Sequence, residues 1–407
     1  MKKRLIGLGK LLFVVGLMAL VFSKIQWHDA RVTSSASGAE TTATGQIEGP
    51  WEADQIRFRE RLPDGTLAPA VVWRRGVQAD GATVGFTQGF LTYLRNLDPG
   101  LFALGALAYF CTVVLSGVRW WWLLRANQLE VSLWEAQRFT WIGLFFNNVV
   151  PGSTGGDLVK AMYIMKHCPG ARIVALVSVI IDRVMGLGSL ALLAGIVVLF
   201  ALDRFGFLAL VIWAVLIGVS LVGVIAFSRR LRELVRLSHL LNRLPARLSG
   251  LLKRVDQAVF YYRSQVLGVI AWTVGGMLIH VGACLSVLCM GEALGVGLPT
   301  LDYFVLIPLA NLVSAVPIAP NGWGLGEALY GFLFKNYGAY ALGGGAAAEA
   351  IMGTRGVALS VLFRLHVTAW SLLGGIAALL EKDKVTRADL EREQAMETAE
   401  AGTAEGG

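Results

Sequence analysis

Apolar runs long enough to cross a bilayer recur along most of this chain, at 5–23, 101–124, 173–201, 206–227, 265–290 and 356–380. A crossing helix needs about 17–25 such residues, because the hydrocarbon core is roughly 30 Å thick and a helix rises 1.5 Å per residue. Two further apolar stretches, 132–168 and 303–341, are interrupted by proline and glycine. The pattern predicts an all-α polytopic membrane protein with about eight membrane segments, two of them Gly/Pro-broken or re-entrant.

Residues 25–98 depart from this pattern. They are polar and of mixed charge, with short alternating runs at Gln55–Arg59, Ala70–Trp73 and Ala82–Phe86. Pro63-Asp64-Gly65 and Asp80-Gly81 separate the runs and read as turns. The segment is expected to be a small β-rich insertion outside the cytoplasm. Its Ser/Ala/Thr/Gly-rich beginning, Thr33–Gly45, reads as a flexible linker. The expected partition is a first transmembrane helix at 1–24, the insertion at 25–98, a membrane domain at 99–384 and a polar cytoplasmic tail at 385–407.

Composition agrees with the periodicity. Hydrophobic residues make up 55% of the chain and charged residues 16%, with a mean hydropathy of +0.61, against roughly 25% charged in soluble domains. The formal charge of +8 would suggest nucleic acid in a soluble protein. Here the basic residues fall in short segments between apolar runs, where they act as topology signals and attract anionic headgroups, so no nucleic-acid partner is expected. Cys111, Cys168, Cys284 and Cys289 lie in or beside apolar runs, with no CxxC pair and no histidine at ligand spacing. No metal, disulfide or cofactor is expected from them. Lys2, Lys3 and Arg4 precede the first apolar run, and no small-x-small cleavage site follows Phe22, which favours a retained helix over a secretory signal.

Lysine and arginine also orient the chain. Arg119 and Arg125 flank Trp120-Trp121-Trp122, read as an interfacial anchor at the cytoplasmic end of the second span. Lys166, His167 and Arg172 mark a second cytoplasmic return, and the arginine-rich stretch 228–263 a third, as a helix on the bilayer surface. Both termini are then cytoplasmic. Parity requires 132–165 to enter and return, either as two short crossings or as a re-entrant hairpin.

The broken segments carry the most information. The first runs Asn147-Asn148-Val149-Val150-Pro151-Gly152-Ser153-Thr154-Gly155-Gly156-Asp157, and the second Pro317-Ile318-Ala319-Pro320-Asn321-Gly322-Trp323-Gly324-Leu325-Gly326-Glu327. In each, proline and a glycine-rich turn lead to Gly-acid, which opens an apolar helix. Backbone freed by these breakers must be buried in protein or face water. Paired broken segments in two halves point to a transporter's binding site where repeats meet. The plainer alternative is two helix-capping loops, whose acids merely suit the helix dipole.

At these residues the sequence resembles the transmembrane domain of lysylphosphatidylglycerol synthase, a flippase-like family. The resemblance rests on Asn147 to Asp157, Ile181-Asp182-Arg183 and Pro317 to Glu327, and it covers about 99–380. It implies lipid translocation or a related lipid-binding role. No soluble aminoacyl-transfer domain follows the membrane segments, so transfer from tRNA to lipid is not expected.

Asp182 lies about ten residues into its span, near the midplane. Arg183 follows it, Arg364 with His366 is similarly deep in the last span, and Arg355 sits nearer that span's outer end. Charges at such depth are costly and mark function by default. One reading makes Arg183 and Arg364 phosphate-binding forks for an anionic or phosphate-bearing lipid headgroup. The other makes them structural, in pairs Asp182–Arg364 and Arg183–Glu327. The candidate substrate-binding residues are Asn147, Pro151, Gly155, Gly156, Asp157, Asp182, Arg183, Pro320, Gly322, Gly324, Gly326, Glu327 and Arg364. The leading function is binding and translocation of a membrane lipid or lipid-linked headgroup. The alternatives are a membrane-embedded lipid-modifying transferase, with Asp157, Asp182 and Glu327 as its only acids, and an envelope scaffold using the insertion. No Ser-His-Asp arrangement or nucleotide-binding loop is present.

Overall fold

A computed structural model describes residues 27–34, 40–49, 55–74, 76–77, 83–149, 155–227, 262, 265–314 and 324–381. The expected first helix, the arginine-rich stretch 228–263 apart from Tyr262, Asp80-Gly81 and the tail beyond 381 lie outside these residues. The described chain is mostly helical, with a small antiparallel sheet toward its N-terminal end.

The sheet comprises β1 (Asp29–Ser34), β2 (Glu40–Glu48), β3 (Gln55–Glu60), β4 (Val71–Arg74), β5 (Gly76–Val77) and β6 (Thr83–Thr87), in the order β4-β3-β2-β1-β6-β5. The three alternating runs become β3, β4 and β6. Gly65, at φ +84°, closes the Pro63-Asp64-Gly65 turn, where Thr66 donates to Asp64. Where it is described, the expected linker at Thr33–Gly45 is instead strand: Thr33 and Ser34 end β1 and Glu40–Gly45 begin β2, with Val32 opposite Thr42 and Ser34 opposite Glu40, while 35–39 lie outside the described residues. Its threonines are β-branched and stiff, and favour an extended strand once a partner is present. Ile47, Ile56, Phe58, Val84 and Phe86 form a small core on one face. Gly45 is required there, because a Cβ would strike the Phe58 ring and the Arg59 carbonyl.

A short helix, α1 (Phe90–Arg95), joins the sheet to the bundle. Asp29 accepts from the amides of Ile47 and Gly89, and Tyr93 of α1 accepts from Arg355 at 2.9 Å. This junction defines the sheet end of the bundle.

The bundle helices are α2 (Pro99–Ala126), α3 (Leu133–Val149), α4 (Gly155–His167), α5 (Arg172–Val198), α6 (Leu202–Phe227), α7 (Val266–Gly275), α8 (Met277–Ala293), α9 (Thr300–Ser314), α10 (Leu325–Gly338) and α11 (Gly345–Leu380). Among the described residues, four helical stretches are long and apolar enough to cross a membrane: Pro99–Ala126, Arg172–Gly218, Val266–Ala293 and Ala348–Leu380. The second, 47 residues long, would extend about 70 Å if straight. Instead the turn Leu199–Ala201 folds it back, and Gly195 lies against Ile212 and Leu216.

The broken segments form two helical hairpins. In the first, Phe139 of α3 stacks on Tyr163 of α4 at 5.6 Å and contacts His167. In the second, Tyr303 of α9 meets Phe334 of α10 at 6.2 Å, and Leu298 packs at Gly338. Over the described residues these four helices run 17, 13, 15 and 14 residues, at or below the lower end of the range for a full crossing.

The contacts form two matching sets. Each set is a long helix, a hairpin and a second long helix: α2, α3–α4, α5 and α8, α9–α10, α11. The two leading helices pack antiparallel, with Gly105 against Ser286 and Gly282 against Thr112. Each closing helix packs on the other set's hairpin, α5 on α9 and α11 on α3. Such exchange is what a two-fold relation between repeats produces. Gly374 lets α11 approach the Trp141 carbonyl of α3, and Gly375 packs against the Phe145 ring. Gly374→Leu would drive a side chain into backbone and is expected to cost about 1–3 kcal/mol. Thermal unfolding of the purified protein measures this, and an unchanged midpoint would contradict the contact.

Candidate functional site

α5 is apolar apart from Asp182-Arg183 through its middle. Adjacent helical residues point about 100° apart, so the two side chains find different partners. Asp182 faces α2 and α4. Its Oδ1 accepts from Arg119 Nε at 2.8 Å, and its Oδ2 from Lys160 Nζ at 3.2 Å. Arg119 Nη2 also donates to the Asp182 backbone carbonyl at 3.3 Å. All three residues are buried. Lys160 Nζ also lies 3.8 Å from the ring centre of Trp120, a favourable cation–π position. The Trp120 indole donates in turn to Ser178 at 3.1 Å.

Arg119 and Trp120 are therefore interior residues, correcting the interfacial-anchor reading. Their side chains turn inward toward a buried acid that the sequence does not reveal as a neighbour. Lys160, absent from the sequence-based candidates, is equally part of this cluster. A lysine within a 13-residue apolar helix was the available signal.

Arg183 reaches instead to Asp157, the third residue of α4. This pair is about a third exposed, 31% for Arg183 and 29% for Asp157, whereas Asp182 is 7% exposed. The α4 start is fixed by α3: Asn147 Oδ1 accepts from the Gly156 amide at 2.9 Å. A Cβ on Gly156 would overlap the Gly143 carbonyl, and Gly155 is likewise buried, so the two helices meet closely at the hairpin.

The second hairpin repeats this arrangement. Gly324, at φ +80°, caps α10, and its amide donates to Glu327 Oε2 at 2.6 Å. Glu327 Oε1 meets Arg364 Nε of α11 at 2.5 Å, with Glu327 1% exposed. Gly326 leaves the space that the Arg364 guanidinium fills. His366 packs edge-on against Tyr109 at 5.0 Å. Thus each hairpin's second helix opens with an acid that pairs with an arginine on the following long helix. The pairs are Asp157–Arg183 and Glu327–Arg364, not the crossed pairs Asp182–Arg364 and Arg183–Glu327, because each arginine reaches the acid opening its own repeat's second hairpin helix. Pro151, Pro320 and Gly322 lie outside the described residues, as do both hairpin tips.

Two other charged groups tie the sheet end together. Arg355 donates to the Val296 carbonyl at 2.7 Å as well as to Tyr93, and Arg204 pairs with the fully buried Asp302 at 2.8 Å. Between α3, α4 and α11 runs an apolar groove of about 580 Å³, lined by Phe145, Phe146, Tyr163, Leu372, Ile376 and Leu379.

Long apolar helices, two hairpins of shorter helices and charge pairs buried among them define a membrane-integral protein with polar groups inside its bundle. The chain belongs to the lysylphosphatidylglycerol synthase TM region family, whose description it matches over residues 81–365. The match begins just before β6, leaving β1 to β5 outside it. A UPF0104 membrane protein of Pyrococcus horikoshii is 27% identical over 181 residues, which is 43% of this chain. The chain spans about half that relative's length, 50%. No solved structure matches.

Proposed function

We propose that the protein binds a membrane lipid or lipid-linked headgroup and carries it between leaflets. In this reading the sheet faces outside, the opposite end of the bundle is cytoplasmic, and the two hairpins enter from opposite sides. The observation that carries the reading is the twice-repeated pair of hairpin acid and long-helix arginine. Ionised groups inside a bilayer are expensive, and two such pairs at helix starts supply hydrogen-bonding groups where a headgroup must lose water. The partly exposed Asp157–Arg183 pair is the accessible one, and the groove between α3, α4 and α11 gives an acyl chain an apolar wall. Asp157, Asp182 and Glu327 are each held by cations or backbone amides, which favours binding over the transferase alternative.

The test is reconstitution into liposomes containing fluorescent phospholipids of different headgroups. Transport faster than in protein-free vesicles is expected. Arg183→Lys and Arg364→Lys keep the charge but lose the two-pronged guanidinium, and each is expected to slow it about tenfold or more, the effect of some 1.4 kcal/mol. Wild-type rates in the double variant Arg183→Ala/Arg364→Ala would remove the arginines from the pathway, and absence of transport for every lipid would remove the function.

A further inference from the structure

The charge pairs are not equivalent. Asp157–Arg183 and Glu327–Arg364 are each one acid to one base. The α2–α4–α5 cluster sets two cations, Arg119 and Lys160, against the single carboxylate of Asp182, which leaves one positive charge in excess inside the bundle. Two observations show where that excess is unmet. Arg119 Nη1 is buried and has no hydrogen-bond partner among the described residues. Lys160, with three donors, has one on Asp182 and presents its ammonium to the face of Trp120.

We infer that the Arg119–Lys160–Asp182 cluster is a binding site for the phosphate group of an anionic lipid, with Arg119 Nη1 and the Lys160 ammonium as the donors. A phosphodiester accepts hydrogen bonds on two oxygens and carries the single negative charge the cluster lacks. Asp157 lies one helical turn before Lys160 on α4, so the partly exposed Asp157–Arg183 pair stands beside the buried site, on the same face. Gly186 of α5 packs against the Arg119 guanidinium, and a larger side chain there would crowd it. His280 Nε2 contacts the Gly186 carbonyl at 2.9 Å, placing α8 against the same wall. The inference rests on the lipid-handling reading for its ligand and adds to it a specific place and a charge. A self-sufficient structural triad is the competing account, and it predicts the opposite response when Lys160 is removed.

The experiment is thermal unfolding of the full-length protein in a neutral detergent, titrated with phosphatidylglycerol, with uncharged diacylglycerol and with inorganic phosphate. A ligand that binds only the folded state raises the unfolding temperature in proportion to its affinity. Phosphatidylglycerol is expected to raise it and diacylglycerol to leave it unchanged. In Lys160→Met, the lipid-free protein should unfold no lower than the wild type, and its affinity for phosphatidylglycerol should fall about tenfold or more. Lys160→Arg should retain binding. Destabilised Lys160→Met with undiminished lipid affinity would overturn the inference in favour of the structural triad. Equal effects of phosphatidylglycerol and diacylglycerol on the wild type would overturn it without any variant. Stabilisation by inorganic phosphate alone, abolished in Lys160→Met, would keep the site and make its ligand a soluble anion. Transport in liposomes is read separately: transport with Lys160-independent binding sinks this site alone, and binding without transport sinks only the proposed function.

Discussion

Asp182→Ala is expected to destabilise the protein more than removal of either of its partners. Loss of one partner of a buried pair commonly costs about 3–5 kcal/mol, because the other charge is left without compensation. Here the deletion strands two cations, Arg119 and Lys160, both buried. Asp182→Asn should lose less, because the amide oxygen still accepts from Arg119. Adding Lys160→Met to Asp182→Ala should recover part of the loss, since one of the stranded charges is then gone. A double-mutant cycle, read by unfolding in lipid-free detergent, measures that coupling. A stability for Asp182→Ala within about 1 kcal/mol of the wild type would mean that water compensates these cations, and that the cluster is not closed.

Glu327 is the second position where a large effect is expected. Its carboxylate serves both the Arg364 guanidinium and the Gly324 amide at the start of α10. Glu327→Ala removes both at once and is expected to cost about 3–5 kcal/mol. Arg364→Leu added to it should restore the charge term but not the cap, worth about 1 kcal/mol. If the pair also handles headgroups, the double variant should be folded and inactive in liposomes. Full transport by a folded double variant would restrict the pair to a structural role.

How much of this was legible in the sequence depends on the kind of signal. Among the described residues the long helices were, because 20-residue apolar runs have few alternatives, and so were β3, β4 and β6, marked by alternation and turn residues. The β1–β2 pairing was hidden because Thr33–Gly45 has a linker-like composition, and its strand character comes only from cross-strand partners. Gly-acid at each hairpin pointed to Asp157 and Glu327, and depth in the span pointed to Asp182, Arg183 and Arg364. The partners were not legible. Which arginine meets which acid depends on how each long helix packs on the hairpin that precedes it, a tertiary fact that no local pattern encodes. Arg119 was misplaced for a related reason: beside three tryptophans it looks interfacial, and only its packing against α5 shows otherwise.

The exchange of closing helices also sets the order in which this protein can be completed during synthesis. α3 and α4 emerge early, but the surface of α3 is covered by α11, the last helix among the described residues. α5 likewise waits for α9. Until then the hairpin's charges already have partners in the first half, Asp157 on Arg183 and Lys160 on Asp182, but the face of α3 that α11 covers is open. The packing of the first half is therefore completed only by helices of the second. A chain cut before Gly345 would lack the helix that covers this face of α3, however soundly its other long helices had been inserted.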